Sequence, residues 1–143
     1  MKSRLIIGLL LAWIVPIGAS AQTLLLLSTG NSTLDTQTQT VLQNGGFTVT
    51  VGSQYNSFVA AELAGVDAVL LLPNNNWNSG DMSLVAQTAL VAFVQNGGGL
   101  VTSEWTNWKV GDGKFQTLEP ILPVISTTQW TGGSNITYTR GTP

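Results

Sequence analysis

The sequence predicts an α/β domain of three layers, doubly wound, with a mainly parallel sheet in the strand order 2-1-3-4. Three observations carry this. Residues 23–28 (TLLLLS) and 68–72 (AVLLL) are short, continuous apolar runs, the pattern of strands buried on both faces. Stretches with helical apolar spacing, or short helical signals, separate the strand-like runs. Strands joined through helices of this length pair in parallel by right-handed crossovers.

Each element has its own signals. The first strand, 23–28, ends in the turn Thr29-Gly30-Asn31. Ser32 is placed to cap the next helix, with Asp35 three residues later as in a capping box. Leu34, Val41 and Leu42 share one face of that helix, and Asn44-Gly45-Gly46 stops it. Its many threonines lower its helix propensity. Residues 47–51 alternate as a second strand, and a short helix over 57–64 closes at Gly65. The third strand, 68–72, ends at Pro73, and the loop 74–78 (NNNWN) leads into the most regular helix. There Met82, Val85, Ala86, Ala89, Leu90, Phe93 and Val94 form one apolar stripe, with Ser79 as N-cap and Asp81 near the positive end of the dipole. Gly97-Gly98-Gly99 ends the helix, and 100–103 is the fourth strand. Beyond Trp108, residues Phe115, Leu118, Ile121 and Leu122 suit a short helix broken at Pro120 and Pro123. Residues 136–139 read as a last short strand. This order of elements is flavodoxin-like, and the lack of a terminal helix after that strand leads us to expect a natural chain that continues past Pro143.

The ends and the composition bound the function. Lys2 and Arg4, the apolar run 5–17 and Ala19-Ser20-Ala21 make residues 1–21 a secretory signal peptide with cleavage before Gln22. The run is shorter than the roughly 20 residues of a spanning helix, so no membrane attachment is expected after cleavage. Residues 22–143 then form one domain with a periplasmic or extracellular location. It holds Lys109, Lys114 and Arg140 against seven acids, which is too few cations for a nucleic-acid interface. With no cysteine, its stability must come from a packed core, and lipoprotein anchoring is ruled out.

The strand TLLLLS, the strand AVLLLP, the amphipathic helix and the segment QNGGGLVTSEW together resemble the class I glutamine amidotransferase-like superfamily, most closely its ThuA-like and other non-catalytic branches. The similarity covers about residues 23–125, and its most specific stretch is 93–104. The resemblance implies a flavodoxin-like fold whose working edge lies at the C-terminal ends of the strands. Enzymes of the superfamily carry a cysteine on the turn after the fourth strand, where this chain has Ser103 and Glu104 followed by Trp105. Their histidine has no counterpart, because the chain has none. None of the superfamily's catalytic residues therefore transfers.

Lacking Cys and His, the chain cannot run thiol catalysis, a Ser-His-Asp triad or a His-based zinc site. Gly97-Gly98-Gly99 lacks the Lys-Ser/Thr of a phosphate loop. No cofactor and no metal site are expected. Two site readings survive. In the first, Trp77 after strand three and Trp105 and Trp108 after strand four gather with Asn76, Asn78 and Glu104 into a platform for a sugar or peptide; asparagines 74, 75 and 107 stand nearby in sequence. In the second, Glu104 works with Asp112 or Asp81 as a carboxylate-dependent hydrolase, which needs two acids about 5–10 Å apart. The competing structural explanations are ordinary packing for the tryptophans and loop-stabilising roles for the acids. The leading expectation is a non-catalytic binding or structural module of an exported bacterial protein, linked to carbohydrate handling through the ThuA-like resemblance. The alternative is the Glu104 hydrolase.

Overall fold

The computed structural model describes residues 21–76 and 78–124. The expected signal peptide, Trp77, Trp130 and the strand expected at 136–139 fall outside them, apart from Ala21. Four strands, β1 (Thr23–Ser28), β2 (Thr48–Gln54), β3 (Ala68–Leu71) and β4 (Gly99–Thr102), form one sheet in the order β2-β1-β3-β4. All three pairings are parallel, which makes the domain a flavodoxin-like α/β fold.

The connections explain the layering. From β1 the chain steps outward to β2 through α1 (Ser32–Asn44). It then reverses direction, reaching β3 past a single 3-10 turn, Ala60–Leu63, and β4 through α2 (Leu84–Gln95). Right-handed crossovers in opposite directions cover opposite faces of a sheet. Accordingly Leu24, Leu26, Val49 and Leu70 pack with Leu42 on the face of α1. On the other face Leu25, Leu27, Val69 and Leu71 pack with Ala86 and Leu90 of α2, and with Val110, Phe115 and Leu118 from further along the chain. The four leucines of β1 are 0–6% exposed, as a continuous apolar run in a central parallel strand requires.

Several local expectations are corrected. Asn31, not Ser32, caps α1: its Oδ1 accepts from the amides of Thr33 and Leu34 at 3.1 and 3.2 Å. Asp35 does not close a capping box, because its carboxylate turns back onto the end of β1. Val41 is exposed rather than inward. The threonines of α1 tolerate the helix by donating to carbonyls four residues back, Thr36 to Ser32 and Thr40 to Thr36. The helix expected at 57–64 shrinks to the 3-10 turn. In α2, the cap is Ser83, whose Oγ accepts from the Ala86 amide, rather than Ser79. The helix thus starts a turn late, with Met82 buried ahead of it and Val85 76% exposed. A second 3-10 segment, Gln116–Ile121, carries Pro120 within it.

Gly52 shows how tightly the β2 edge is built. A Cβ there would meet Glu62 Oε2 at 2.6 Å and Leu25 Cδ1 at 2.7 Å. Glu62 uses that carboxylate to hold the amides of Ser53 and Val59 at 2.8 and 3.1 Å. Gly52→Ala is therefore expected to cost about 2 kcal/mol, from over-packing and a displaced clamp, read as a lower urea midpoint.

Candidate functional site

β3 and β4 lie side by side in parallel, with Leu71 opposite Thr102, so the segments leaving them meet at one end of the sheet. Open α/β sheets place ligands outside this end of their strands. The segment after β4 was expected to be loop but is a helix, α3 (Glu104–Gly111). Its local pattern is weak, and tertiary contacts hold it: Thr106, Lys109 and Val110 point inward. Thr106 Oγ1 donates to the Leu71 carbonyl at 2.9 Å, tying α3 to the end of β3.

A nucleophile elbow is a sharp, strained turn between strand and helix. Ser103 stands at that junction with φ −111° and ψ 173°, an extended backbone without strain. Among the described residues the only non-glycine with left-handed φ is Phe115, at 53°. The backbone here thus lacks the elbow's shape as well as its cysteine.

Asn76 takes a structural post. It is 3% exposed; its Nδ2 donates to the Ser28 carbonyl at 2.9 Å, and its Oδ1 accepts from the Asn74 amide at 3.2 Å. Its own amide donates to the Thr29 carbonyl at 3.1 Å. Asn76 therefore staples the loop after β3 to the end of β1 and does not present its amide to a ligand. Asn78 and Glu104 are exposed. Trp105 is 37% exposed and meets the partly buried Trp108 edge to face, with ring centroids 5.9 Å apart. Beside them, Oγ of Ser103, just ahead of α3, and Oδ1 of Asn107 on it are enclosed without a hydrogen-bond partner.

The acids proposed to work with Glu104 have other tasks. Asp81 Oδ1 accepts from the amides of Met82 and Phe115 at 2.8 and 3.1 Å, fixing the start of α2 to the segment after α3. Asp112 pairs with Lys114 at 2.8 Å. Among the described residues, no group of three or more potential ligands could hold a metal ion.

Sequence reasoning missed the polar centre just beneath this edge. Lys109 is fully buried, and its Nζ donates to Tyr55 Oη and to the Gly80 carbonyl, each at 2.8 Å. The ammonium also lies 4.9 Å from the Tyr55 ring centroid and 5.7 Å from that of Phe115. Tyr55 Oη in turn donates to the Asn76 carbonyl at 2.6 Å. Burial lowers the Lys109 pKa, and Lys114 adds to this, while Asp81 and Asp112 oppose it. Burial also raises the Tyr55 pKa, with Asp81 adding to the rise and the backbone at Ser79 opposing it. One bond network thus joins the turn after β2, the loop after β3 and α3.

The molecule defined by these features is a flavodoxin-like α/β domain whose β3–β4 rim carries an exposed indole on a pinned scaffold. No known protein family, curated protein or solved structure matches this chain.

Proposed function

We propose that the chain is a non-catalytic binding module of an exported protein, on the class I glutamine amidotransferase-like frame that its sequence resembles, with a sugar or peptide as ligand. The observation that carries this is the Trp105–Trp108 pair at the rim of β3 and β4, with one indole open to solvent. An indole face stacks on the apolar C–H surface of a sugar ring or on a peptide side chain, and adjacent polar groups supply orientation. Glu104 and Asn78 are exposed and serve that second role, and Trp77, next to Asn78 in the sequence, is proposed as a further member of the platform. The scaffold suits binding, because the buried polar network holds the loop and α3 in place before any ligand arrives.

The test is a titration of the mature chain with soluble oligosaccharides and with short peptides, followed by calorimetry. Trp105→Ala is expected to weaken binding about tenfold, the equivalent of an aromatic contact worth about 1.4 kcal/mol. Thermal stability should change little, since the ring is partly exposed. Unaltered affinity in Trp105→Ala and Trp77→Ala would remove the platform from consideration. The exported location is checked separately by the mass of the secreted protein, which should begin at Gln22.

A further inference from the structure

The two outer strands of the sheet are finished differently. In β2, main-chain groups turned away from β1 have side-chain partners: the Val49 carbonyl accepts from Gln39 Nε2 at 2.9 Å, and the Ser53 amide donates to Glu62 Oε2 at 2.8 Å. In β4 the Gly99 amide donates to the Asp67 carbonyl at 2.9 Å. That bond turns the main-chain groups of Gly99 and Val101 towards β3 and those of Leu100 and Thr102 outward. The outward groups have no hydrogen-bond partner among the described residues, and Val101 beside them is 50% exposed. Short as it is, β4 (GLVT) carries neither the charge nor the proline with which proteins blunt an open strand edge.

We propose that residues 136–139 (ITYT) of this same chain lie along that edge as a fifth strand, parallel to β4. The route of the chain favours this occupant over an outside partner. From β3 the chain reaches β4 through α2, on the face where Leu25, Leu71 and Leu90 pack. After β4 it stays on that face, since Val110 of α3 and then Phe115, Leu118 and Leu122 join the same cluster. A connection on that face is right-handed only when it steps onward in the direction from β3 to β4. The next parallel strand therefore falls on the free side of β4, where the outward groups of Leu100 and Thr102 stand. The intervening chain is long enough. Residues 125–135 are 11 residues and reach about 36 Å when extended, more than the roughly 23 Å spanned by the 7 residues of β2. Ile, Thr and Tyr are strand formers, and Ile136 and Tyr138 fall on one face of such a strand, which suits cover for Val101.

A parallel strand ends where β4 ends, at the start of α3, so Arg140 is delivered to the rim that carries Glu104 and Trp105. The described residues hold two cations, Lys109, which is buried, and Lys114, which pairs with Asp112. Arg140 thus brings the rim a guanidinium that the described residues do not supply. The strand pairing stands whether or not the rim binds a sugar or peptide.

Amide hydrogen exchange on the mature full chain tests the pairing. The Leu100 and Thr102 amides are expected to exchange slowly, like that of Val101, at every protein concentration. Successive residues of a strand face alternate neighbours, so one of Thr137→Pro and Tyr138→Pro removes a donor from the ladder. That variant should speed exchange at Leu100 and Thr102 about tenfold, while Leu26 in central β1 keeps its protection. The chain has no cysteine, so a spin label on Arg140→Cys reports the direction. It should broaden the amide signals of 102–105 and spare those of 97–99. Fast exchange at Leu100 and Thr102 in the parent chain would overturn the proposal. So would protection that both proline variants leave intact, or protection that grows with concentration, the mark of a second copy on the edge. A label that broadens 97–99, or neither segment, overturns it as well, and this measurement decides alone where a proline variant loses the Leu26 protection.

Discussion

Replacing Asp35 by alanine is expected to destabilise the domain by about 3 kcal/mol, the value for stranding buried donors that had bonded to a carboxylate. Asp35 is 5% exposed. Its Oδ1 accepts from the amide and the hydroxyl of Thr29 at 2.9 and 2.7 Å, and its Oδ2 accepts from Ser28 Oγ at 2.7 Å. Without the carboxylate, the Thr29 amide at the end of the central strand has no acceptor and no route to water, since Thr29 is 2% exposed. For a domain of this size the loss corresponds to a melting temperature lower by about 15 °C. The damage should spread. Thr29 and Ser28 supply the carbonyls that hold Asn76, so amide exchange over 74–80 should accelerate in the same variant. Asp35→Asn can keep its amide oxygen on the Thr29 amide and hydroxyl and set its NH2 against Ser28 Oγ, a hydroxyl able to accept, and should recover much of the loss.

Lys109→Ala is expected to cost a similar amount, about 3 kcal/mol, by opening a cavity beside Tyr55 and Phe115 and removing the shorter of the two hydrogen bonds to the Gly80 carbonyl. Lys109→Met should stay within about 1 kcal/mol of the parent at neutral pH. The thioether stem fills most of the space and removes a charge that is costly to bury. The pH dependence separates the charge from the packing. The folded chain holds the Lys109 proton less tightly than the unfolded chain does. Unfolding therefore takes up protons between the lowered pKa and the ordinary lysine value near 10.4, and stability rises with pH across that window. Tyr55 acts in the opposite sense, because its pKa is raised on folding. Above its ordinary value of about 10 the unfolded chain loses the phenolic proton first, and stability falls. Urea midpoints measured from neutral to alkaline pH should thus rise and then decline. Lys109→Met should abolish the rise and keep the decline. A variant that retains the rise would show that another group produces it.

The legible part of this molecule was its strand content and its order. Leu24 to Leu27 and Val69 to Leu71 read as buried strands because a central parallel strand must be apolar on both faces, and period-independent apolarity is visible in one dimension. The chain direction between strands then follows from handedness, so the order 2-1-3-4 could be read before any coordinate was known. The rim position of Trp105 follows from the same order.

What resisted reading was every choice between chemically equivalent neighbours. Asn31 and Ser32 are both good caps, and so are Ser79 and Ser83; which one serves depends on where the incoming loop is anchored, by Asn76 on one side and Asp81 on the other. Asn76 looked like a ligand contact among the four asparagines of its loop, since nothing local marks the one whose amide faces a carbonyl 48 positions away. The partnership of Lys109 with Tyr55, 54 residues apart, had no local signal at all.

By itself, then, the order of residues determined the layers, the parallel sheet and the loss of thiol and imidazole chemistry, because hydrophobic burial and residue inventory are properties of single positions. Only the folded chain decided which polar groups meet. A hydrogen bond is short-ranged and directional, so its partners are chosen by a backbone that long-range packing has already put in place.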